Sequence, residues 1–182
     1  MKYHLDWLIE ESEKENRIKY LFFWGHQPNK DGSVSKSCFS QWWLAEFEKD
    51  NIKYKSAEHW MMAGKARLFE DNEMLEKIIL SKSPAEAKKL GRQVKNYDET
   101  TWQAHRYEIV KEGNLLKFGQ HPDLKEFLVN TQERVLVEAS PYDNIWGIGM
   151  IASNPESEHP SQWNGLNLLG FALMEVRDEL RA

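Results

Sequence analysis

The chain offers little material for a sheet. Only three stretches read as strands: the apolar run Tyr20-Leu21-Phe22-Phe23-Trp24, ended by Gly25 and Pro28; a hairpin over 47–54, turning at Asp50-Asn51; and Arg134-Val135-Leu136-Val137-Glu138. The longer segments carry helical punctuation. Ser56 is placed as an N-cap, with Glu58 in the first turn where its charge meets the positive helix end. Ser83-Pro84-Ala85-Glu86 combines a capping box with proline at the first helical position, and that helix is expected to close at Gly91. A longer helix is expected from Asp98 to Gly119, turning Trp102, Arg106, Ile109 and Leu116 inward, with Gly113 weakening its second half. Pro122 opens a short helix through Leu128, and the last helix, over 166–180, has Leu166, Leu169, Leu173, Val176 and Leu180 as its stripe. The pattern predicts an α+β fold, mainly helical, in a single compact domain with a small β element. Residues 1–19 read as an amphipathic helical appendage, with Leu5, Leu8 and Ile9 on one side and Glu10 through Glu15 almost wholly polar, leaving 20–182 as the core domain.

Composition narrows the function. The 182 residues suffice for one sizeable core. A net charge of -5 and a pI near 5.7 lack the broad positive surface of duplex-binding proteins, so extended nucleic acid is disfavoured, although a local basic rim stays open. Mean hydropathy is -0.70, no apolar run approaches the roughly 20 residues of a membrane span, and the start does not read as a signal peptide. A cytoplasmic protein is expected. The single Cys38 gives neither an internal disulfide nor a Cys-based zinc spacing, and His59 has no ligand partner four residues on. No metal and no cofactor are expected. Eight tryptophans are more than such a core usually needs, so either some line a cleft for a flat ring or all are core.

The pair that suggests chemistry is Glu58 and Lys65. Seven residues on a helix bring them to nearly one angular position, about 10 Å apart along the axis. Met62 and Phe69 share that face, and apolar surroundings shift the pKa of either group. A carboxyl there serves as a general acid or base, and a lysine with a lowered pKa as a nucleophile toward a sugar aldehyde. The bland alternative leaves Glu58 on the helix dipole and Lys65 snorkelling to water. Ser140-Pro141-Tyr142-Asp143-Asn144-Ile145-Trp146-Gly147-Ile148-Gly149 has the makings of a binding loop, with Asp143 and Trp146 as candidates, and its residue types are equally those of an ordinary turn. Gly91-Arg92 either presents a guanidinium to phosphate or is a C-cap glycine beside a solvated arginine.

Taken together, these segments resemble the NADAR family, also called YbiA-like, over roughly residues 20–180. The resemblance is carried by Phe39-Ser40-Gln41-Trp42, the hairpin to Tyr54, Ala57-Glu58-His59 with Ala63 and Lys65, Leu90-Gly91-Arg92, Trp102, Lys117-Phe118, Leu136-Val137-Glu138-Ala139, Asp143 with Trp146-Gly147, and Asn167-Leu168-Leu169-Gly170 with Leu173-Met174 and Arg177. Residues 1–19 and the insertion around 153–162 fall outside it. It implies an N-glycosidase that cleaves a ribosyl phosphate or ADP-ribosyl group from a nitrogenous base. The substrate would be a small nucleotide-like molecule, a ribosylamino-pyrimidine phosphate of riboflavin synthesis, or ADP-ribosylated guanine. Glu58 and Lys65 look like the family's active-site pair, with Asp143 as a third catalytic candidate. Ser40, Trp42, His59, Arg92, Trp102, Arg106, Trp146 and Gly147 are the expected substrate-binding positions. Met62-Ala63-Gly64 departs from members with flanking glutamines, which bears on substrate choice. A non-catalytic module binding ADP-ribose or NAD is the alternative, and it has no need of both Glu58 and Lys65.

Overall fold

The order of elements is α1 (Leu5–Ser12), β1 (Tyr20–Phe23), β2 (Leu44–Lys49), β3 (Ile52–Ser56), α2 (Ala57–Leu68), α3 (Asn72–Leu80), α4 (Pro84–Gly91), α5 (Glu99–Gln120), α6 (Pro122–Val129), β4 (Val135–Glu138) and α7 (Leu168–Arg181), with short 3-10 turns at Lys36–Phe39, Pro155–Glu158 and Pro160–Gln162. This computed structural model describes residues 1–14 and 17–182; the part of the expected N-terminal helix at residues 15 and 16 lies outside the described residues. The class is α+β, mainly helical. The chain divides into two compact units, one made of residues 1–40 and 123–182 and the other of residues 41–122.

In the first unit, β1 and β4 pair in parallel, from Tyr20 opposite Val135 to Phe23 opposite Glu138. The other side of β4 is satisfied by a side chain. Asn167, fully buried and left-handed (φ 53), accepts from the Glu138 N–H at 3.0 Å and donates to the Leu136 carbonyl at 2.9 Å. It thereby imitates a neighbouring strand and starts α7 against the sheet. A Cβ on Gly170 would collide with the Leu136 carbonyl oxygen, so this approach admits glycine alone. Leu169, Leu173 and Val176 are buried as the stripe predicts. Leu166 is not in it: the left-handed Asn167 delays the helix to Leu168 and leaves Leu166 43% exposed. The α1 segment buries Leu8 completely and is tied to α7 by Lys2 N–H to Glu175 (2.6 Å) and Tyr3 hydroxyl to Asp178 (2.8 Å).

In the second unit, β2 and β3 form the antiparallel hairpin, with Asp50 and Asn51 both left-handed (φ 53 and 62). Two consecutive positive φ values give the turn whose twist matches the strands. Ser56 ends β3 and caps α2, accepting from His59 N–H at 3.3 Å. Helix α2 is covered on several sides, and small residues are what let the neighbours approach. A Cβ on Gly64 would stand 2.6 Å from Ile109 of α5, one on Gly113 of α5 would strike the Trp60 ring, and one on Gly91 of α4 would strike the Met62 sulfur. Gly91 is therefore a packing residue in the last turn of α4, with no left-handed backbone to make it a C-cap. Gly113, expected to weaken α5, is instead the socket of Trp60, whose indole N–H donates to the Ile109 carbonyl at 2.8 Å. The buried stripe of α5 also differs from expectation. Trp102 and Arg106 turn inward as predicted, but Ile109 and Leu116 are only half-buried, and Val110, Asn114, Lys117 and Phe118 take the deep positions.

Replacing Gly170 by alanine should destabilise the fold by about 3 kcal/mol, because the obstructing atom is a strand carbonyl that cannot yield. Urea denaturation followed by circular dichroism checks this, and an unchanged midpoint would contradict the close approach of α7 to β4.

Candidate active site

Glu58 sits in the first turn of α2 with only 3% of its surface exposed. Its backbone N–H, one of the donors a helix start leaves over, is taken by the Gln41 carbonyl at 2.9 Å. Two turns on, Lys65 is half-buried, its Nζ 4.2 Å from the Tyr97 ring centroid and 5.7 Å from that of Trp102. Burial pushes the Lys65 pKa below the ordinary lysine value; Glu99 opposes the shift and the Arg92 charge adds to it.

Cationic and aromatic groups surround this pair within the same unit. Arg92 is exposed at the end of α4, while Trp102 and Arg106 are each 8% exposed on α5. Trp42 is half-buried, with the Lys88 ammonium 5.9 Å from its ring. Such an arrangement suits a flat ring and an anion, since aromatic faces take the first and guanidinium forks the second.

Three buried polar residues are not among the expected site positions, although Gln41 and Lys117 lie in segments that carry the resemblance. Lys117 and Asn114 are completely buried on α5, and Gln41 is 8% exposed. The contacts of Trp60 with Gly113 and of Gly64 with Ile109 show α2 and α5 running antiparallel, which brings the Glu58 turn level with the turn holding Asn114 and Lys117. Asn114 donates to Gln41 Oε1 at 2.8 Å and to the Val110 carbonyl at 2.9 Å. Among the described residues Gln41 Nε2 and Asn114 Oδ1 are buried without a hydrogen-bond partner, a cost of roughly 1–3 kcal/mol each that an apolar pair would avoid. The available signal was Leu115-Leu116-Lys117-Phe118, a lysine inside an apolar run, which a helix seldom carries into its buried face.

His59, expected to bind substrate, is held inside the protein. It is fully buried, with Nδ1 2.7 Å from the Ser56 hydroxyl and Nε2 3.3 Å from the Ser81 carbonyl, so both ring nitrogens serve the protein. Burial lowers its pKa, favouring the neutral ring that such contacts need. It joins the start of α2 to the end of α3.

The remaining expected residues belong to the first unit. Asp143 Oδ1 accepts from the N–H groups of Ile145 (2.8 Å) and Trp146 (2.7 Å), so this carboxylate shapes the loop after β4. Gly147 is buried where a Cβ would stand 2.8 Å from the Glu138 carbonyl oxygen; Trp146 and Ser40 are half-buried. Among the described residues no group of three or more His, Cys, Asp or Glu could hold a metal ion, and no helix is long and apolar enough to cross a membrane.

Comparison with known proteins places these features. The family model of the NADAR domain matches residues 22–181. The chain belongs to the NADAR family. A relative named N-glycosidase R617, from Acanthamoeba polyphaga mimivirus, is 43% identical over 88% of this chain and 96% of its own length. A riboflavin biosynthesis protein PYRR of Zea mays chloroplasts is 33% identical over 72% of this chain and 20% of its own. The NMR structure of Escherichia coli YbiA matches with a TM-score of 0.69 at 24% identity, covering 91% of this chain and 87% of that one, and shows that the NADAR fold is shared.

If His59 is a strut, replacing it with alanine should cost about 2 kcal/mol of stability through a lost hydrogen bond and a small cavity. The KM for any substrate should stay put. Thermal unfolding and steady-state kinetics on the one variant separate this from a binding role, which would raise KM without lowering the melting temperature.

Proposed function

We propose that this NADAR protein is an N-glycosidase, a hydrolase that releases a nitrogenous base from a ribosyl phosphate or ADP-ribosyl group. The observation that carries the reading is the pairing on one helix of a carboxylate 3% exposed with a half-buried lysine set against two aromatic rings. Family membership and the name of the mimiviral relative support the reaction class. The maize relative's name carries riboflavin biosynthesis, which agrees with a ribosylamino-pyrimidine phosphate as substrate; ADP-ribosylated guanine is the other substrate proposed. The net charge of -5 favours a small nucleotide-like molecule over a long nucleic acid. The single cysteine and acidic composition suit work in the cytoplasm.

The chemistry follows from where charge develops. Breaking a ribosyl C–N bond builds positive charge at the anomeric carbon, which a nearby carboxylate stabilises. In the covalent route, the Lys65 amine adds to C1 of the ring-opened sugar. The base then leaves as its amine, carrying a proton from Glu58, and an iminium remains on Lys65. Water adds to C1 with Glu58 taking its proton, the C–N bond to Lys65 breaks, and the free sugar recloses. The sum is one water consumed, with one base and one sugar released. Arg92 and Arg106 meet phosphate oxygens and Trp102 packs against the ligand.

Glu58→Gln should lower kcat for base release by about 10²–10⁴-fold while ligand affinity survives. Unaltered turnover would remove Glu58 from the chemistry, and a wild-type protein that binds without releasing base would be the ADP-ribose-binding module instead.

Borohydride added during turnover should leave a sugar adduct on Lys65, located by peptide mass spectrometry. Because burial lowers the lysine pKa, the reactive free amine grows in as pH rises, with a midpoint below the ordinary value of about 10.4. Trapping that shows no rise, or only the midpoint of a solvated lysine, would exclude the covalent route.

A further inference from the structure

Lys65 has a companion that its own helix does not supply. Tyr97, in the connection between α4 and α5, places its ring 4.2 Å from the Lys65 ammonium while keeping 41% of its own surface in water. Trp102 supplies a second ring, its centroid 5.7 Å from the amine. An exposed aromatic residue on a polar connection has no core to fill, yet this one is held from several directions. Its ring meets that of Phe69 edge-on, with centroids 5.4 Å apart and planes at 62°. Before it, the Lys95 N–H donates to Asp71 at 2.8 Å and Asn96 turns left-handed at φ 56. After it, Asp98 caps α5 by accepting from the Thr101 N–H at 2.7 Å.

The hydroxyl of Tyr97 engages a carboxylate. It donates to Glu99 Oε2, and the Gln103 side-chain amide donates to Oε1 of the same group at 2.7 Å. Both oxygens of Glu99 are therefore held by neutral donors. These keep it ionised: its pKa lies below the ordinary glutamate value, through Tyr97 first and Gln103 next. Burial, and then Glu99, push the Tyr97 phenol up to about 12, so it remains a donor throughout the neutral range. Glu99 is also a carboxylate whose charge acts on Lys65, and among the described residues that ammonium has ring faces but no ion pair. The other charges at this place are Arg92 at the end of α4, which acts on Lys65, Arg106 of α5, which acts on Glu99 and Tyr97, and Asp98 beside Tyr97. An exposed carboxylate near a lysine is free to swing into an ion pair, but the oxygens of this one are already taken.

We propose that Tyr97 is a positioning residue for the Lys65 amine: its ring walls the amine in beside Trp102, and its hydroxyl detains the Glu99 carboxylate that would otherwise pair with it. An amine in a salt bridge holds its proton, and a protonated amine has no lone pair with which to attack carbon. The ring keeps water off the amine, and the hydroxyl keeps the opposite charge off it. The two halves of one side chain therefore separate by mutation. What the amine does in catalysis rests on the N-glycosidase reading, whereas what Tyr97 does to the amine is tested without any substrate.

Competitive labelling of the full chain with acetic anhydride, across the neutral to alkaline range, gives the pH midpoint at which the Lys65 amine becomes free. Peptide mass spectrometry reads it, with the other lysines of the chain as internal references. Tyr97→Phe releases Glu99 and keeps the ring, so the midpoint should rise and labelling below it should fall by about 2–5-fold, the range an exposed ion pair supplies. Glu99→Gln should lower the midpoint, and in that background Tyr97→Phe should change nothing, since no charge is left to release. Tyr97→Ala should raise the midpoint in either background, because it also lets water reach the amine. Tyr97 and Glu99 are exposed, so the variants should fold, and matching circular dichroism spectra check that they do. The proposal is overturned if Tyr97→Phe leaves the midpoint in place, or shifts it equally in the Glu99→Gln background. Turnover is followed on the same proteins. A kcat profile that moves with the labelling midpoint supports both assignments, whereas a midpoint that moves under an unmoved kcat profile refutes the covalent role of Lys65 and leaves that of Tyr97 standing.

Discussion

Burial of α2 on so many sides is the constraint from which the candidate chemistry follows. A helix covered on one face can place a charged residue on the other at no cost, but α2 has no such face at its start. Glu58, His59, Trp60, Met61 and Met62 are all buried in succession. Each polar member of that run therefore needs a structural reason to be there. His59 has one, in the hydrogen bonds to Ser56 and Ser81. Glu58 has its backbone tied to Gln41. The glycines at 64, 91 and 113 make this arrangement possible by letting α4 and α5 come close.

The first unit solves a different problem, that of a sheet with only two strands. Such a sheet leaves edges unsatisfied, and β4 is completed by the amide of Asn167 rather than by a third strand. The same residue starts α7, and Gly147 and Gly165 let the loop segments on either side of it pack backbone against backbone. The result is a rigid set of turns at the carboxyl ends of β1 and β4. Asp143, read from the sequence as a catalytic candidate, contributes by holding those turns, and the exposed rings of Trp24 and Tyr142 are displayed by them.

Environment, not identity, sets the chemistry of Lys65. Its ammonium is drawn against Tyr97 and Trp102, where cation–π attraction favours the charge while desolvation disfavours it. Burial lowers its pKa, with Arg92 adding to the shift and Glu99 opposing it, so the free amine becomes accessible at lower pH than on a surface lysine. Lys117, drawn from the same residue type, is wholly buried on α5.

Local rules carried the reading of the chain a long way. The caps at Ser56, Ser83 and Asp98, the left-handed pair Asp50-Asn51 and the apolar stripe of Leu169, Leu173 and Val176 are short-range features, and each made its element as expected. The placement of Glu58 and Lys65 two turns apart on one helix is likewise a consequence of helical geometry, legible before any fold is known. What the amino-acid order could not disclose is which face each helix buries when neighbours come from distant parts of the chain. Gly91 closes α4 as expected and is also the socket for Met62, and Gly113, read as a weak point of its helix, is the socket for Trp60; Ile109 and Leu116 looked like core and yielded to Val110, Asn114 and Lys117. The contact of His59 Nε2 with the Ser81 carbonyl, 22 positions away, is equally hidden in the order of residues. Short-range order determined the elements and the spacing of the candidate groups, and tertiary structure alone decided their burial, because burial depends on contacts between residues that sequence proximity does not relate.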